Sequence, residues 1–144
     1  MGHISRIVFF QNTQPYNGRI FGHELQEALS KKGLQRVIVE TRSILTGIID
    51  HIRKVGNVEA VVFHCTFQHE RGVRASESIQ EIIEYGMPFF FVTGFGSDKK
   101  VSNKKDILKK ELRVMNSFDF DQFSVTLQEL PEKIEEVLKE AGVT

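Results

Sequence analysis

The sequence has a single cysteine, no excess of charge of either sign and no long apolar run, and each absence removes a class of protein. Cys65 is the only cysteine, so no disulfide can form within the chain. The amino terminus lacks the apolar stretch that a secretory signal requires, and a reducing cytoplasm is the expected compartment. Lys+Arg and Asp+Glu each number 19, giving a net charge of zero. The broad electrostatic attraction behind non-specific nucleic-acid or anionic-membrane binding is therefore missing, and neither partner is expected. Apolar runs such as residues 87–92 are far shorter than the roughly 20 residues a membrane-spanning helix needs. At 144 residues the chain suits one domain, 1–144, with one sizeable core. Internal repeats, low-complexity tracts and linkers are absent, and the chain is expected to end with its last helix and no appended output domain.

What is present is an alternation of short apolar runs with segments of helical period, repeated about five times, the pattern of βα units around a parallel sheet. Ile7-Val8-Phe9-Phe10 reads as the first strand. The helix after it carries Ile20, Phe21, Leu25, Ala28 and Leu29 on one face and stops at Gly33. Val37-Ile38-Val39 reads as the second strand, followed by a helix with Ile44, Leu45, Ile48, Ile49, Ile52 and Val55 in one stripe. Ala60-Val61-Val62-Phe63 is apolar on both faces, as a covered central strand should be, and ends at His64 and Cys65. A helix with Ile79, Ile82 and Ile83 leads through Gly86-Met87-Pro88 to the fourth strand, Phe89-Phe90-Phe91-Val92. The polar stretch 97–110 predicts a short fourth helix. Ser117-Phe118-Asp119-Phe120-Asp121 alternates as a half-exposed edge strand does. The last helix turns Leu127, Leu130, Ile134, Val137, Leu138 and Ala141 inward. These units make a doubly wound (βα)5 domain, whose ligands sit at the carboxyl ends of the strands.

Chemistry-bearing motifs are scarce at those ends. No Gly-x-Ser-x-Gly elbow and no paired carboxylates stand there, so no enzyme is expected. His64, Cys65 and His69 are close in sequence, but consecutive strand residues point to opposite faces and the spaced Cys/His pairs of a zinc site are missing. Thr93-Gly94-Phe95-Gly96-Ser97-Asp98-Lys99 lacks the spacing of a Walker loop and reads as a turn. His69-Glu70-Arg71-Gly72 has the His-x-x-Gly of cobalamin-binding domains, with Phe67 where the accompanying aspartate belongs. The pairs Lys99-Lys100, Lys104-Lys105 and Lys109-Lys110 form the one basic concentration, a solvated face or a contact for an acidic partner.

Pro88-Phe89-Phe90-Phe91-Val92-Thr93-Gly94-Phe95-Gly96, the segment 118–134, the eight-residue interval from His64 to Gly72 and the pair Gln11-Asn12 together resemble the receiver domain of bacterial response regulators. Receivers close their fourth strand on a hydroxyl residue, a small residue and Tyr/Phe-Gly. They also set a glycine eight residues beyond the phosphoacceptor aspartate. The resemblance spans nearly the whole chain and implies a flavodoxin-like sheet in the strand order 2-1-3-4-5. It aligns Gln11 and Asn12 with the metal-binding acids, His64 with the phosphoacceptor, Thr93 with the switch hydroxyl, Phe118 with the switch aromatic and Asp121 with the pairing lysine.

Those positions form a degenerate phosphoacceptor pocket. Magnesium is normally held by at least one or two carboxylates, whereas Gln11 and Asn12 offer neutral oxygens and His64 a nitrogen. The amides also remove a like-charge repulsion that only a metal would offset. Gln122 replaces the family's proline, and a non-proline cis bond costs about 3 kcal/mol. No metal and no cofactor are expected. What the resemblance leaves is a phosphorylation-independent receiver-like module of signal transduction or regulation. It would bind a protein partner, or a second copy, through the face of the fourth helix, fifth strand and fifth helix, where Thr93 and Phe118 lie. The alternative is a flavodoxin-like domain that binds a small ligand or nucleotide, as in an enzyme subunit.

Overall fold

The computed structural model describes residues 4–10, 21–42, 47–64, 75–93, 124–126 and 128–142. Within them the chain runs β1 (Ser5–Phe10), α1 (Phe21–Lys31), β2 (Val37–Arg42), α2 (Ile48–Val55), β3 (Val58–His64), α3 (Ala75–Tyr85), β4 (Phe89–Thr93), β5 (Ser124–Thr126) and α4 (Leu130–Glu140). All four strand pairings are parallel, and the sheet order is β2-β1-β3-β4-β5. This is the doubly wound, flavodoxin-like order that receivers share, as the sequence pattern and the resemblance predict.

Strand alternation sends successive side chains to opposite faces, and the core divides accordingly. Val8 and Phe10 of β1, Val61 and Phe63 of β3, and Phe89 and Phe91 of β4 pack with Ile48 and Ile52 of α2 and Ile79 and Ile82 of α3. Ile7, Phe9, Ala60, Val62, Val92 and Val125 pack on the other face with Phe21, Leu25 and Leu29 of α1 and Leu130, Ile134 and Leu138 of α4. The central strands are apolar on both sides because helices cover both sides. One irregularity interrupts them. Arg6 pairs Val58 and Ile7 pairs Ala60, which leaves Glu59 as the extra residue of a bulge in β3, so Val58 and Val61 face the same core despite their odd spacing.

Two helices end in the same way. Gly33, at φ 86°, donates its N–H to Ser30, and Leu34 donates to Leu29. Gly86, at φ 83°, donates to Ile83, and Met87 to Ile82. Both are Schellman turns, in which a left-handed residue lets two orphan carbonyls find donors. The residue after each glycine, Leu34 or Met87, packs back onto the core.

Several boundaries differ from the sequence reading. β2 extends through Glu40, Thr41 and Arg42, polar residues that an edge strand tolerates. The strand paired with β4 is Ser124–Thr126, beyond the alternating run 117–121, which lies outside the described residues. The run Phe123-Ser124-Val125-Thr126 alternates equally well and adds β-branched residues; Val125 is buried. Ala141 is exposed rather than inward, because α4 stops at Glu140 and Ala141 caps it. The fourth helix expected in 97–110, and Ile20, Ile44, Leu45 and Leu127, lie outside the described residues.

Candidate functional site

In a sheet of this order β1 and β3 are neighbours whose connections lead in opposite directions, the arrangement at whose carboxyl ends doubly wound folds hold their ligands. β1 ends at Phe10, directly ahead of Gln11 and Asn12 in the chain, and Phe10 is in register with Phe63. β3 ends on His64, which is in register with Val92. β4 ends on Thr93, in register with Thr126 at the end of β5. The backbone thus brings His64 and Thr93 together at the ends of adjacent central strands. Gln11, Asn12, Phe118 and Asp121 lie outside the described residues, as do Cys65, His69 and Gly72. Asp121 precedes β5 in the chain, so the residue that closes the paired strand is Thr126.

Immediately beneath the strand ends runs one row of in-register residues, Arg42, Phe10, Phe63 and Phe91. The Phe10 and Phe63 rings stack with centroids 4.9 Å apart at 12°, and Phe63 and Phe91 stack at 5.5 Å and 27°. Phe10 and Phe63 are fully buried and Phe91 nearly so. Offset stacks of this kind add about 0.5–1.5 kcal/mol per pair beyond area burial. They make a rigid apolar floor below the positions that the resemblance assigns to the pocket.

Polar groups around this floor were not singled out by sequence. The Thr126 hydroxyl donates to the Glu129 carboxylate at 2.9 Å and accepts the Glu129 N–H at 3.1 Å. The Thr-x-x-Glu signal of a helix start was present for this pair. On β2, Glu40 holds both carboxylate oxygens within 3.1 and 2.8 Å of His51 Nε2 on α2. Arg42, two residues further on the same strand face, has a buried Nε with no hydrogen-bond partner among the described residues. Leaving a buried donor unpaired costs about 1–3 kcal/mol, and more on a charged group.

Among the described residues, no group of three or more His, Cys, Asp or Glu is placed to hold a metal ion, and no helix is long and apolar enough to cross a membrane. Two shallow grooves lie elsewhere. One of about 430 Å³ separates α2 from α3 beside Arg53, Glu81 and Tyr85; the other, about 320 Å³, lies at the amino ends of β3 and β4 beside Glu59, Pro88 and Glu140.

No family model matches the chain, and no curated protein matches it. Among solved structures, the chain is similar to the solution structure of the BeF3-activated conformation of SdrG from Pseudomonas melonis Fr1. The identity is 15% and the TM-score 0.46, over 74% of this chain and 81% of that one. The fold assignment rests on the strand order and register, independently of that similarity.

Proposed function

We propose that this chain is a receiver-like module that works without phosphorylation, binding a protein partner in signal transduction or regulation and catalysing no reaction. The observation that supports this reading is that β3, the central strand, ends on His64. Phosphoryl transfer of the receiver kind depends on positioning and charge neutralisation around a carboxylate and its metal. An imidazole at this strand end, with amides Gln11 and Asn12 following β1, has neither the nucleophile nor the hard oxygen ligands that magnesium prefers. The scaffold persists without them, because its cohesion comes from the two apolar layers.

Adding beryllofluoride with and without Mg²⁺ while following backbone amide resonances tests the first half of the reading. The proposal predicts no saturable, Mg²⁺-dependent shift at His64 or Thr93, and such a shift would overturn it. The second half is tested by crosslinked partner capture in the native cell with the wild type and His64→Ala. The same partner recovered at equal yield supports binding that is indifferent to the pocket; loss of the partner on substitution refutes it.

A further inference from the structure

We draw no further inference here: the strongest candidate, the groove between α2 and α3 lined by Asp50, Arg53, Glu81, Glu84 and Tyr85, is a shallow acidic surface, and nothing in the structure shows what covers it.

Discussion

Gln26 on α1 reaches the outer edge of β2 with both ends of its amide. Nε2 donates to the Val37 carbonyl at 2.7 Å, and the Val39 N–H donates to Oε1 at 2.7 Å. The amide thereby stands in for a residue of a sixth strand, satisfying two groups that β2 turns away from β1. Gln26→Ala removes both bonds. Each is worth about 0.5–1.5 kcal/mol net, and the site is only part-buried, so water recovers a share. The better helix propensity of alanine returns a few tenths of a kcal/mol. The expected loss is about 1–2 kcal/mol, a fall in Tm of about 4–6 °C for a chain of this size. Equilibrium urea unfolding reads it as a lower midpoint at unchanged slope. Because an unpaired strand edge recruits other edges, size-exclusion chromatography at rising concentration should also show the variant associating where the wild type does not. An unfolding free energy within about 0.3 kcal/mol of wild type would refute the claim that this amide holds the edge.

The aromatic row makes a sharper demand on the core. Phe63→Ala, at a position with no exposure and stacked on two rings, should cost about 3–5 kcal/mol, a large part of the 5–15 kcal/mol typical of a domain; circular dichroism against urea checks it. Gly86→Ala should cost about 1–2 kcal/mol from the left-handed backbone alone, since an added Cβ meets nothing within 4 Å. Gly86→Asn, whose side chain tolerates that conformation, should recover part of the loss in the same assay.

The sheet was legible wherever both faces of a strand are covered. Ala60 to Phe63 are all fully buried, so the run is continuously apolar and reads as a central strand without help from its neighbours. At the edges the pattern thins. Glu40, Thr41 and Arg42 extend β2, yet their polarity reads as loop, because an edge strand keeps one flank in water. The alternation around β5 supports two adjacent registers, and pairing with β4, a tertiary fact, selects Ser124–Thr126. Gln26 and the His51–Glu40 pair were invisible for a related reason. Each owes its role to contacts between elements, and a hydrogen bond between α1 and β2 leaves no period in the sequence. Of the proposed pocket, His64 and Thr93 are positioned by the ends of β3 and β4. Gln11, Asn12, Phe118 and Asp121 lie outside the described residues and stand on the resemblance alone.

The central proposal is that this receiver-like sheet works without phosphoryl chemistry. Intact mass spectrometry of the full chain after incubation with acetyl phosphate and Mg²⁺ tests it most directly. The account predicts that the mass is unchanged at every incubation time. A stoichiometric gain of one phosphoryl group that requires Mg²⁺ and disappears in His64→Ala would contradict it.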